Sequence, residues 1–122
     1  MTKEQALHNF FNRFGIVGYR NTSVPDDAVL PYLTYTAPVS KFEEEPVSIT
    51  VHTYHYTDSE AVPDAKAEEM RREIGVGGVM LPCDGGYIWL KCGYPWCQSL
   101  VDDTNRNIKR RYINITAEFL TI

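Results

Sequence analysis

The stretch Val47-Ser48-Ile49-Thr50-Val51-His52-Thr53-Tyr54-His55-Tyr56-Thr57 decides the fold class. Val47, Ile49, Val51 and Thr53 alternate with Ser48, Thr50, His52 and Tyr54, which is the period of a strand with one buried face. The alternation returns in Arg110 to Ile122, where Ile113, Ile115, Ala117 and Phe119 are set against Tyr112, Asn114, Thr116 and Glu118. Two long strands, each apolar on one side, need a second layer to cover that side.

Two segments have the right period to supply that layer. In Thr2 to Phe14, Ala6, Leu7, Phe10, Phe11 and Phe14 fall on one helical stripe. Thr2 and Gln5 have capping-box spacing, and Gly15 is placed to end the helix. A second helix is predicted from Asp58-Ser59-Glu60 to Gly75, with Pro63 in its first turn and Ala67, Met70 and Ile74 on one side.

Further strands are predicted at Tyr32 to Ala37, opened by Leu30-Pro31, and at Tyr87 to Cys92, entered through the tight turn Asp84-Gly85-Gly86. The acidic run Lys41-Phe42-Glu43-Glu44-Glu45-Pro46 should close a hairpin between the Tyr32 and Val47 strands. Gly18 to Leu30 and Gly93-Tyr94-Pro95-Trp96 read as connections, and Val79-Met80-Leu81-Pro82 as a short apolar piece. The order predicts one α+β domain over residues 1–122. Its sheet is mainly antiparallel or mixed, with four to five strands and two helices packed on one face.

The chain has 122 residues, 43% hydrophobic and 23% charged, with a net charge of −4. That composition suits a globular domain, and size scaling gives about 6,700 Å² of accessible surface once folded. The modest acidic excess creates no global field for nucleic acid or an anionic membrane. No apolar run approaches the roughly 20 residues of a spanning helix. The start, Met1-Thr2-Lys3-Glu4-Gln5, lacks the pattern of a secretion signal, so an intracellular place of synthesis is expected. Cys83, Cys92 and Cys97 are odd in number and read as reduced thiols.

Catalytic, metal and cofactor chemistry finds no clear purchase. His52 and His55 lie three apart in a strand and so point to opposite faces, and the cysteines form no Cys-x-x-Cys pair. There is no Gly-x-Ser-x-Gly elbow, and Gly75, Gly77 and Gly78 follow a helix instead of joining a strand to one. No catalytic, cofactor-binding or metal residues are therefore assigned.

Two other features suggest contact with a macromolecule. Arg106, Lys109, Arg110 and Arg111 are the densest basic run, open to a solvated strand start, to nucleic acid, or to pairing with Glu43, Glu44 and Glu45 on a neighbouring copy. Tyr87 and Trp89 share a strand face opposite Ile88 and Leu90. If the aliphatic pair faces the helices, the aromatic pair lies outside, either as an interface core or beneath the chain's own loops.

Three segments stand in a familiar order: Asp26-Asp27-Ala28-Val29-Leu30-Pro31-Tyr32-Leu33-Thr34-Tyr35, Asp84-Gly85-Gly86-Tyr87-Ile88-Trp89-Leu90-Lys91, and Ile108-Lys109-Arg110-Arg111-Tyr112-Ile113-Asn114-Ile115. Together they resemble the tail-terminator (tail-completion) proteins of long-tailed bacteriophages and prophages, the lambda minor tail protein U-like class. The resemblance runs from about Val24 to Ile122; the N-terminal helix fits by pattern only, and it does not require cysteine at Cys92 and Cys97. It implies a non-enzymatic virion protein that assembles, usually as a hexameric ring, on the end of the tail tube. Such a ring ends tube polymerisation and joins the tail to the head.

The implied partners are further copies of itself, the tail tube protein and a head-completion or neck protein. Genomic DNA would pass through the lumen without specific binding. No membrane is involved. The implied location is the virion neck, after assembly in the host cytoplasm. Glu43, Glu44, Glu45, Tyr87, Trp89, Arg106, Lys109 and Arg110 are the expected interface residues. Two other classes stay open: a different head–tail connector, such as an adaptor or head-closure ring, and a small ligand-binding α+β protein.

Overall fold

The two alternating segments become the middle of the sheet. In a computed structural model describing all residues from Met1 to Ile122, strands β3 (Val47–Tyr56) and β6 (Ile108–Thr121) pair antiparallel, with Val47 opposite Ala117 and Tyr54 opposite Arg110. In chain order the other elements are α1 (Lys3–Phe11), β1 (Val17–Arg20), β2 (Tyr32–Tyr35), α2 (Ala61–Ile74), β4 (Val79–Cys83) and β5 (Gly86–Leu100). The fold is α+β. Its strand order is β1-β2-β3-β6-β5-β4, antiparallel throughout except for the parallel β1–β2 pair.

The sheet has six strands, where four to five were expected. Part of the predicted connection Gly18 to Leu30 is strand: β1 is only four residues long and shows no alternation to read. It is held from outside its own sequence. Asn12, which caps the end of α1, accepts from the Gly18 N–H at 2.9 Å and donates to the Gly18 carbonyl at 3.1 Å. A Cβ at Gly18 would sit 2.5 Å from the Phe11 carbonyl oxygen, so this close helix–strand approach requires glycine. The apolar piece around Leu81 is β4, paired with β5 through the expected tight turn.

Strand β5 also runs through the Gly93–Trp96 connection. There an irregularity between Cys92 and Cys97 takes up four residues opposite Asn114, whose side chain donates to the Pro95 carbonyl at 2.8 Å. The β2–β3 hairpin across the acidic turn forms as predicted.

Both helices lie over one face. The Thr2–Gln5 capping box is present, although α1 stops at Phe11 and not at Phe14. Phe14 is still buried, edge-on to Phe10 at 5.4 Å. Phe10, Phe11 and Leu7 from α1 and Met70 and Ile74 from α2 pack with Ile49, Val51, Ile88, Leu90, Ile113 and Ile115 as one core. The accessible surface is 6953 Å², close to the value expected from size alone. No helix is long and apolar enough to cross a membrane.

Candidate interface on the outer sheet face

The face away from the helices is open. Ser48, Thr50, His52 and Tyr54 of β3 and Tyr112, Asn114, Thr116 and Glu118 of β6 are its centre, none of them fully buried. Register then places two groups of large side chains at opposite corners.

The first corner holds the predicted pair. Ile88 and Leu90 are sealed in the core, which puts Tyr87 and Trp89 outside. Tyr87 is 49% exposed and stands opposite Leu120 and Pro82; Trp89 is half-buried between Glu118 and Met80. The Trp89 indole N–H donates to the Gly77 carbonyl at 2.9 Å. Lys91 Nζ lies 3.9 Å from the Trp89 ring centre while pairing with Glu118 at 3.5 Å. The turn carrying Gly77 reaches the ring because Gly78 adopts φ +86°, and a Cβ there would stand 2.6 Å from the indole nitrogen. The chain's own turn therefore covers part of Trp89, and Tyr87 with Met80 is left bare.

The second corner was not foreseen. Tyr19, Tyr32, Tyr54, His52 and Tyr112 form a continuous row across β1, β2, β3 and β6. Tyr19 meets Tyr32 edge-on at 5.7 Å, Tyr32 stacks on Tyr54 at 4.9 Å, and Tyr112 meets His52 edge-on at 5.3 Å. Burial, then repulsion by Arg110, lowers the His52 pKa. Burial is also the main reason the Tyr32 hydroxyl is shifted up. Strand alternation places each of these side chains on its face, but the sequence does not show which rows come side by side.

Arg110 sits in this row with its guanidinium 4.9 Å from the Tyr54 ring centre. Its Nη2 donates to His52 Nδ1 at 3.4 Å and to the Tyr54 hydroxyl at 3.5 Å, both long, and its buried Nε has no acceptor. No carboxylate lies within ion-pair distance of it, although Asp102 is near enough for the Arg110 charge to help lower its pKa, chiefly set by hydrogen bonds from Thr104.

The neighbouring arginine behaves in the opposite way. Arg111 points to the helix side, 2% exposed, and donates to Asp64 at 2.9 and 3.0 Å and to Glu60 at 3.1 Å. Burial opposes its charge, but these hydrogen bonds outweigh burial and hold its pKa above the ordinary value. Arg111 therefore leaves the basic set read from the sequence and serves as a clasp for the start of α2. Beside it, His55 is 3% exposed with an unpartnered Nε2; burial and the Lys66 and Arg111 charges lower its pKa.

The remaining predicted residues separate by end. Arg106 and Lys109 line, with Arg111 and Glu60, a shallow groove of about 230 Å³ on the other side of the strand from Arg110, and Lys109 Nζ donates to the Arg106 carbonyl at 2.8 Å. Glu43, Glu44 and Glu45 form an exposed turn at the far end of the β3–β6 pair, tied in by Phe42 N–H donating to the Thr121 carbonyl at 2.8 Å. None of the three makes an ion pair within the chain.

Seven residues of strand, about 24 Å, separate the two charged ends, so the proposed opposite charges do not meet in one subunit. No three or more His, Cys, Asp or Glu side chains are grouped to hold a metal ion. No protein-family model matches this chain, and no curated protein matches it significantly.

Proposed function

We propose that this chain is a structural subunit that assembles with copies of itself into a ring on a phage tail tube, ending tube growth and presenting a surface for the head. The observation that carries this reading is the open outer face, with Tyr87 bare at one corner, a half-buried aromatic row at the other, and acidic and basic ends that form no ion pair with each other. A tube grows because each layer recreates the surface that the next one needs. A terminator binds that surface and presents a different one outward, while side-to-side contacts between unlike patches close the ring. Exposed aromatic side chains suit the centre of such contacts, and charges at their rim set register.

The resemblance of the three segments to tail terminators supplies the tube as the target, and no catalysis is part of the reading. Electron microscopy of the purified protein, alone and mixed with polymerising tail tubes, tests it. Rings capping one end of tubes that stop elongating are expected. Tubes that elongate unchanged would overturn it. Attachment to heads and not to tubes would favour an adaptor or head-closure role.

A further inference from the structure

We propose that Arg110 and the row around it form a carboxylate receptor, and that its occupant is the Glu43–Glu45 turn of a second copy of this chain. The proposal rests on the self-assembly reading and names the contact that reading leaves open. Arg110 carries a full charge and five N–H donors, yet its bonds are two long ones from Nη2, to a ring nitrogen and a phenol. Its buried Nε–H has no acceptor. A half-buried guanidinium in that state has lost water, while the nearby carboxylate of Asp102 stays outside ion-pair distance and accepts instead from Thr104 and Asn105, so a docking carboxylate would complete it.

Tyr54 beneath the guanidinium fixes its plane, as two-point recognition of a carboxylate requires. Burial and the Arg110 charge both disfavour a proton on His52, which limits competing positive charge beside Arg110.

The occupant follows from what the chain leaves unpaired. Glu43, Glu44 and Glu45 are exposed consecutive carboxylates with no intrachain cation. Their turn has a defined shape: Glu43 takes φ 74°, and Glu44 N–H donates to the Lys41 carbonyl at 3.2 Å. The turn and Arg110 sit at opposite ends of β3–β6, so only a second molecule brings them together.

Sedimentation up to millimolar protein tests this with R110E, E44R/E45R and the combined swap. The expected result is association about thirtyfold weaker or more in either partial variant, recovered in the combined one, with unchanged circular dichroism. A second readout is the His52 ring signal in NMR titrations. Its pKa should rise on association, because a carboxylate then stands beside Arg110, and should not move in E44R/E45R.

Wild-type association that ignores the charge reversals, or a wild-type chain that stays monomeric at millimolar concentration, overturns the receptor. Tube capping remains a separate test of the ring. A swap-rescued closed dimer would keep the receptor and remove the ring.

Discussion

Tyr112 and Ile113 are consecutive in β6 and face unlike surroundings. Ile113 is fully buried between the sheet and the helices, whereas Tyr112 is half-covered by His52 alone among aromatic neighbours. Arg110 and Arg111 repeat the contrast with charge: one guanidinium is clasped by two carboxylates, and the other makes no ion pair. The helix side of the sheet meets most of its needs within one molecule. The outer side carries aromatic surface and charge that the chain does not neutralise by itself. A sheet face in that condition is suited to contacts with other molecules, which is why the functional reading is placed there.

The contrast breaks most clearly at Ile113. Ile113→Ala should lower folding stability by about 2–5 kcal/mol in urea titrations, because neighbours cannot fill the space left in a packed core. A loss under 1 kcal/mol would mean that the core is looser than the packing described above. Arg111→Ala should cost about 2 kcal/mol by removing charge-assisted bonds that hold the start of α2, discounted because Glu60 and Asp64 are largely solvated.

Acid should act on both sides of the sheet, through His55 beneath the helices and His52 in the outer row. His55 and His52 have folded-state pKa values below the ordinary imidazole value, so the unfolded chain takes up protons first as pH drops below about 6.5. Their contribution is complete above that pH and is lost as pH falls through the folded-state values. Thermal melts between pH 7 and pH 5 should show decreasing stability, with a shallower slope in His55→Gln; an identical slope would remove His55 as the source.

On the outer side, Tyr112→Ala should cost only about 1 kcal/mol of folding stability, the worth of one aromatic contact, while weakening self-association measured by sedimentation. Arg110→Ala should cost least, within about 0.5 kcal/mol, since an under-satisfied half-buried cation adds little to folding. A large loss there would return Arg110 to a folding role.

The long strands, the second helix, the capping box and the outward direction of Tyr87 and Trp89 were legible in the sequence because each rests on local period or local hydrogen bonding. Strand β1 was not legible, because Asn12 and a parallel neighbour make it a strand and its own four residues do not. The end of α1 was misplaced because Phe14 keeps the helical spacing of apolar residues while lying beyond the last helical turn. Half of the candidate site was missed for a related reason. Tyr32, Tyr54, Tyr112 and Tyr19 belong to four strands, and only inter-strand register makes them one row. The opposite fates of Arg110 and Arg111 follow from alternation, but the clasp by Glu60 and Asp64 depends on where α2 lands.

The order of residues by itself determined that this is an α+β chain with one apolar sheet face, since a period of two and a period near 3.6 are properties of the backbone. Tertiary structure alone decided which side chains meet: the tyrosine row, the satisfied and the unsatisfied arginine, and the distance between acidic and basic ends. Register and helix docking are set by the summed packing of distant segments, and no short window of sequence carries that sum.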